Sequence, residues 1–501
     1  MKTDIHPALL NLEPAIFWEQ FDAIRRIPRR PYEEDQVRRY VLQYAAAQTW
    51  SSAVDAAGNV VCYVPGRGKG ASSPTVILQA HMDMVCVKES GSTHDFGKDA
   101  IDLEHCQRSF DGHNEEVLKA RGTTLGFDNG VGVAMLLALP LSPELSSHPP
   151  LELVFTVSEE VGLIGARNFD LSLLKGRRLI NTDSFEAEEI GISGAASCEF
   201  SATWQLNRES PAPNWRALRL IIAGLPGGHS GSDIHELRPN ALHLLLNFLN
   251  SPSIQPLDLR LAALQGGVRR NAIPPSATVD VWCSAQALPK LCALFSTTQA
   301  PFHEILSRFP SLSLGCEERA DIEQPINVVL AQSILKGISC IPDGILAMSA
   351  EMPGLVESSN TLSLATTETG RLSVTCMPRS SKRGYIEQLQ KQMHSETSKL
   401  GATCEYEENS HGLWPADPTM PLLQQALRAG ERAYGKPPKV TATHASVECA
   451  LFVTPLPGMQ AISVGPEIRN AHSPEECVWL RTVAPFWRFM IELMRSLGET
   501  A

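Results

Sequence analysis

Three apolar runs, SPTVILQAHMDMV (73–85), LELVFTVSEEVG (151–162) and GRRLINTDS (176–184), each close on acidic or imidazole side chains. No other feature of the sequence constrains the fold as strongly. Short apolar runs bounded by polar segments read as buried strands. A fourth run, GNVVCYVPG (58–66), reads as a strand ending in a turn, and helical stretches such as Gly130 to Leu139 lie between the strands. Alternating strands and helices predict an α/β unit. Ligand sites in such sheets gather at the carboxyl ends of the strands, where these acidic residues stand.

The remaining segments predict how the chain is divided. Pro14 suits a first helical turn, and the residues after it, AIFWEQFDAIRRI, recur at helical spacing. After about residue 195 the texture changes. CEFSATWQLN, ALRLIIAGLPGG and SATVDVWCSAQ read as strands, and HELRPNALHLLLNFLN reads as a helix with Pro239 near its start. From about 408, PLLQQALRAGERAYG is helical, GMQAISVGP is strand-like and VAPFWRFMIELMRSL is a closing helix, so the first texture resumes. A chain of 501 residues exceeds the roughly 250–300 that one core supports. The expectation is an α/β domain built from 1–195 and 408–501, interrupted by an inserted α+β unit at 196–407.

Composition excludes several classes. The net charge of -12 has the wrong sign for a chain living on nucleic acid or anionic lipid. The longest apolar run, Val131 to Leu141, falls well short of the ~20 residues that span a bilayer. The N-terminus lacks the basic start and apolar core of a secretory signal. Twelve cysteines without a CxxC pair read as free thiols in a reducing compartment, which places the chain in the cytoplasm.

The residues at the strand ends carry the chemistry. His81 and Asp83 stand two apart and share a face; a metal-bound imidazole commonly gives its second ring N–H to a carboxylate, although HxD alone also describes an ordinary polar strand end. Asp128 lies in the glycine-rich turn GTTLGFDNGVGVAM before a helix. It is either a helix cap or, with Gly126, Gly130 and Gly132 allowing close backbone approach, a carboxylate held against something charged. Glu159 and Glu160 repel each other at the mouth of a buried strand unless a cation or proton intervenes. Asp183 ends another strand, and His472 leaves a turn in VGPEIRNAHSPEECV. Together these nitrogen and oxygen donors suit zinc and related divalent ions, and they point to a two-metal hydrolytic site.

In order and wording, HMDMV, GTTLGFDNGVGVA, SEEVGLIGA, INTDS, GLPGGHSGSDIHELRPNA, NAIPP and GPEIRNAHSP resemble the co-catalytic zinc metallopeptidases that include carboxypeptidase G, aminoacylase and aminotripeptidase. PRSS (378–381) and THASVECALF (443–452) are most similar to the aminoacyl-histidine dipeptidase branch of that family. The resemblance spans about 13 to 490. It implies a zinc-peptidase-like α/β catalytic domain with an inserted α+β lid, and two divalent ions, zinc by expectation, with manganese or cobalt accepted by the same donors. His81 and Asp183 would hold one ion and Glu160 and His472 the other, with Asp128 bridging. Asp83 would orient His81, and Glu159 would be the general base. His229 in GGHSG would stabilise the oxyanion, and Asn271 in NAIPP and Arg379 in PRSS would hold substrate. By sequence alone His229 is also a solvated loop histidine and Arg379 also a surface ion pair.

The implied activity is hydrolysis of dipeptides of the Xaa-His type, with a short peptide as substrate, no nucleic acid and no membrane. Family lids often pair, which leaves monomer and homodimer both open. Two other readings use the same residues: an aminoacylase-like amide hydrolase, and a catalytically silent peptide-binding protein. The chain departs from the dipeptidase pattern at Phe127, Phe185, Ser446 and Ala450. Side chains added beside the expected pocket bear on which substrates fit more than on metal chemistry.

Overall fold

The computed structural model describes residues 5–110, 112–296, 299, 302–350, 352–406 and 412–499. The chain divides into two compact units. The first comprises 1–194, 414–442 and 447–501, and the second comprises 195–413 with Thr443–Ser446. The short return of 443–446 to the second unit has no counterpart in composition or periodicity.

The first unit is built on an eight-stranded sheet of Ser51–Val54 (β1), Val60–Val64 (β2), Val76–His81 (β3), Leu151–Thr156 (β4), Arg178–Asn181 (β5), Glu189–Gly191 (β6), Lys439–Thr441 (β7) and Gln460–Ser463 (β8), in the order β1-β2-β4-β3-β5-β8-β6-β7. Strands β4, β3, β5 and β8 run parallel at its centre. Every residue of β3 and β4 is buried, which is why both read as continuous apolar runs rather than alternating ones. Their carboxyl ends fall at one edge. His81 closes β3, Glu159 and Glu160 follow β4, and Asp183 follows β5.

Helix α1 (Ala15–Arg25) buries Phe17, Trp18, Phe21 and Ile24, and helix α2 (Phe127–Ala138) is buried along its whole length. Gly132 permits that burial. A Cβ there would stand 2.4 Å from Thr182 Oγ1 and 2.7 Å from the Ala80 side chain, so the helix could not lie against β3 and β5. A helix and a hairpin of this unit are among the elements without a clear signal in the sequence. Helix Asp35–Ala47 buries only Val37, Val41 and Ala45. The hairpin Leu103–Phe110 with His113–Ala120 alternates too many polar residues to stand out, and it pairs with Cys477–Trp479 near His472.

The second unit is an α+β body whose main sheet has eight strands, all its pairings antiparallel: Phe200–Gln205, Trp215–Ala223, Arg260–Gly266, Ala277–Ser284, Ser313–Glu318, Leu362–Glu368, Arg371–Cys376 and Thr403–Tyr406. Its core joins these strands to helices Ala241–Leu249, Val328–Ser339 and Tyr385–Ser398 through residues such as Leu242, Ile334 and Met393. Pro239 precedes the first of these helices. Asn240 caps it, its side chain accepting the Leu242 and His243 N–H groups.

Three expectations need correction. Cys292 and Cys316 form a disulfide, because helix Leu288–Leu294 and strand Ser313–Glu318 bring their Cα atoms to 5.8 Å; a separation of 24 residues gave no sign of it. Phe127 does not face a pocket. It is fully buried, its ring 4.8 Å from that of Phe21 and near Phe17 and Trp18. Ala450 likewise packs into a core with Val61, Ile77 and Phe452. Truncation of Phe127 to Ala should cost the first unit about 3–5 kcal/mol, read as a lowered midpoint in chemical denaturation, because an aromatic cluster loses its central ring.

Candidate metal centre

Asp128 begins α2 in a non-helical conformation (φ -78°, ψ 111°), so its side chain does not follow the helix. It is not the cap. Asn129 Oδ1 accepts the Gly132 N–H at 2.9 Å and does that work, freeing Asp128 to face two imidazoles. His81 Nε2 lies 2.9 Å from Asp128 Oδ1, and His472 Nε2 lies 2.9 Å from Asp128 Oδ2.

Each imidazole has a second carboxylate. Asp183 Oδ1 is 3.6 Å from His81 Nε2, and Glu160 Oε2 is 3.1 Å from His472 Nε2. Two donor triads result, His81–Asp128–Asp183 and Asp128–Glu160–His472, with Asp128 common to both. Glu159 joins His81 and Glu160 in a third grouping. Asp83 supports both sides. Its Oδ1 is 3.3 Å from His81 Nδ1, while its two oxygens accept the Glu159 and Glu160 N–H groups at 3.0 and 3.1 Å. That second task, setting the turn that carries Glu159, has no signal in the sequence.

The electrostatics follow from burial and crowding. Burial, reinforced by Asp183, Glu160 and Glu448 against the pull of His81, holds the Glu159 carboxyl well above its usual range. Burial and the Asp128 charge push Glu160 up to about 7, and burial also raises Asp183. Asp128 goes the other way. Hydrogen bonds from His472 and His81 overcome its burial and hold it below the usual carboxylate range. His472 is pushed up to about 11 by its hydrogen bonds to Asp128 and Glu160. Burial alone would lower His81, but Asp183, Asp128 and Asp83 outweigh it and hold it well above 6.5.

These donors fit divalent cations. Four carboxylates and two imidazoles converge, and among the described residues no Lys or Arg pairs with Asp128, Asp183, Glu159 or Glu160. Glu160 Oε1 and Asp183 Oδ1 are buried with no hydrogen-bond partner among the described residues. Buried, unpaired carboxylate oxygens in an oxygen- and nitrogen-only cluster are suited to zinc, manganese or cobalt. Glu448, absent from the sequence reading, lies behind the cluster. Its Oε2 accepts from Gln79 Nε2 and, at 2.9 Å, from Thr156 Oγ1, at the ends of β3 and β4.

The three expected substrate-holding residues lie in the second unit, gathered around Ser230. His229 precedes it, the Asn271 carbonyl accepts its N–H at 2.9 Å, and Arg379 Nε donates to its hydroxyl at 3.1 Å. His229 Nδ1 accepts the Gly231 and Ser232 N–H groups, which puts the ring proton on Nε2. Asn271 itself is exposed. Arg379 is not a surface ion pair. It is 3% exposed, and among the described residues no carboxylate reaches its guanidinium, which burial pulls down to about 10. Two further groups join it. Ser446 Oγ stands 3.5 Å from Arg379 Nη1, bonded to Ser197 and the Ala195 carbonyl, and His444 Nε2 is 2.7 Å from Ser359 Oγ.

Comparison with known proteins agrees with this arrangement. Residues 77–496 match the model of Peptidase family M20/M25/M40. The chain is 32% identical over 493 residues to the cytosol non-specific dipeptidase of Escherichia coli, covering 98% of this chain and 99% of that one. It is 34% identical to the crystal structure of aminoacylhistidine dipeptidase from Vibrio alginolyticus, with a TM-score of 0.85 and 98% of each chain covered. An aminopeptidase structure from Bacillus cereus shares the fold at 13% identity, with a TM-score of 0.56 over 97% of this chain and 100% of that one. With a dinuclear donor set at the carboxyl ends of the central parallel strands and a family match over residues 77–496, the chain belongs to peptidase family M20/M25/M40, and it is a metal-dependent peptide hydrolase.

Proposed function

We propose that this chain hydrolyses short peptides in the cytoplasm, dipeptides above all, with Xaa-His dipeptides among its substrates. The observation that carries this reading is the pair of donor triads sharing Asp128. The substrate class is supported by what the two relatives of 32% and 34% identity are called, a non-specific dipeptidase and an aminoacylhistidine dipeptidase. In a reducing cytoplasm Cys292 and Cys316 would stand as a dithiol.

On this reading His81 and Asp183 would hold one divalent ion and Glu160 and His472 the other, with Asp128, common to both triads, offering an oxygen to each. When bound, such ions polarise a carbonyl and make a water acidic enough to attack near neutral pH. Asp83 keeps the His81 ring oriented. Glu159 takes the proton of the attacking water and passes it to the leaving amine, a task for a carboxyl whose pKa lies above its usual range. His229 offers an Nε2–H to the carbonyl oxygen as it gains charge. Arg379, a buried cation that no carboxylate reaches among the described residues, takes the free carboxylate of the substrate through its planar fork, with Asn271 alongside.

A substrate panel tests the assignment. Xaa-His and Xaa-Gly dipeptides should be cleaved faster than N-acyl amino acids; preference for the acylated compounds would reassign the chain to aminoacylase-like chemistry. Glu159→Gln should lower kcat by about 10²–10⁴ while bound metal, measured by elemental analysis, stays at the wild-type level. Parallel loss of metal would show Glu159 to be a ligand instead.

A third expectation concerns protons. With its pKa pushed up to about 11, His472 is protonated in the metal-free chain at pH 7, and a ligating imidazole must be neutral. Metal binding should therefore release protons, and affinity should rise with pH through the neutral range. Calorimetric titration in buffers of different ionisation enthalpy reads this directly; heat independent of the buffer would contradict it.

A further inference from the structure

The turn that presents Asp128 is held by two buried charges that belong to neither the donor triads nor the substrate-holding group. Glu476, 2% exposed, spreads its carboxylate across four consecutive backbone donors. Oε2 accepts the Leu125 and Gly126 N–H groups at 2.9 and 3.0 Å, and Oε1 accepts those of Phe127 and Asp128 at 2.8 and 3.3 Å. Arg29, also 2% exposed, takes the carbonyls. Its Nη2 donates to Gly126, and its Nη1 donates to Met82 at 3.1 Å and Asp83 at 2.7 Å.

This arrangement answers a specific difficulty. LGFDNGVG is glycine-rich and has little stiffness of its own. Yet Asp128 must keep each oxygen 2.9 Å from a different imidazole. A small rotation of the turn would spoil both contacts. Glu476 fixes the N–H side of the turn and Arg29 its Gly126 carbonyl, while the same guanidinium ties down the segment after β3 that carries Asp83. Gly126 has φ 65°, and a Cβ there would stand 2.6 Å from Arg29 Nη2, so the fit leaves no room for a side chain.

We propose that Arg29 and Glu476 are positioning residues for the metal centre, clamping the Leu125–Asp128 turn from its carbonyl and amide sides so that Asp128 can serve both ions. The proposal rests on the reading of Asp128 as the shared ligand. Charge and shape are separable at Glu476. Gln has the same size, but it offers one acceptor oxygen and turns an NH2 group toward backbone donors. Lys at position 29 keeps the cation but not the fork that reaches three carbonyls.

The experiment compares wild type with E476Q, E476D and R29K, each stripped of metal and titrated with zinc against a chromophoric chelator. The thermal midpoint of each apoprotein is measured alongside. The expected result is a 10–100-fold weaker affinity in E476Q and R29K, affecting both ions, with apoprotein midpoints near wild type and partial recovery in E476D, which keeps two acceptor oxygens. Zinc affinity within twofold of wild type in both variants would overturn the proposal. So would apoproteins that no longer fold, since the pair would then be holding the fold rather than the centre. A wild-type chain that bound no zinc, manganese or cobalt would fail at the metal assignment itself, a result distinct from wild-type binding that the variants leave untouched.

Discussion

The mutual repulsion of Asp128, Asp183, Glu159 and Glu160 is the constraint around which the first unit is organised. Like charges a few ångströms apart in a poorly solvated cluster cannot all stay ionised without cations. In the chain itself the compensation comes from two imidazoles; Asp128, which meets both, has its proton affinity lowered, while burial raises that of Glu159, Glu160 and Asp183. The parallel order β4-β3-β5 brings three chain segments to one edge, and the buried helix α2 delivers the fourth. A sheet core of Val, Ile and Leu is what makes such crowding tolerable, since it fixes the strand ends rigidly enough that the charges cannot drift apart.

Much of this was legible because central parallel strands must be apolar on both faces. VILQAH and LELVFT stand out as runs, and the residues directly after each run must stand at the sheet edge. The α/β class and the alternation with helices come from the same pattern. The hairpin at 103–120 was not legible, since a two-stranded ribbon with one wet face offers alternation diluted by Glu, Arg and His. Nor was the Cys292–Cys316 contact, which depends on where a helix and an edge strand meet.

At the centre, the side chains that face one another were the readable ones, because His, Asp and Glu at strand ends are conspicuous. Their supports were not. Arg29 in IPRRPY and Glu476 in SPEECV look like surface charges, and only the fold turns them inward onto backbone groups. Glu448 and His444 sit in THASVECALF, a segment recognisable by resemblance, but nothing in its residues separates a buried acid under β3 and β4 from a solvated one. Phe127 shows the opposite error. Adjacent to Asp128 in sequence, it packs into the core instead, because Asp128 has a non-helical backbone (φ -78°, ψ 111°) and its side chain does not follow the line of the helix.

The split of the first unit around the second has a consequence for synthesis. Ribosomes make the chain from the amino end, so His81, Asp128, Glu160 and Asp183 exist long before His472 and Glu476 do. Strand β8, which pairs with β5, is also made after all of the second unit. A nascent chain therefore carries a partial, unclamped set of donors throughout the translation of the intervening residues. On the proposed reading of these donors, peptide cleavage would wait until the segment carrying His472 and Glu476 has been made and has returned to the first unit.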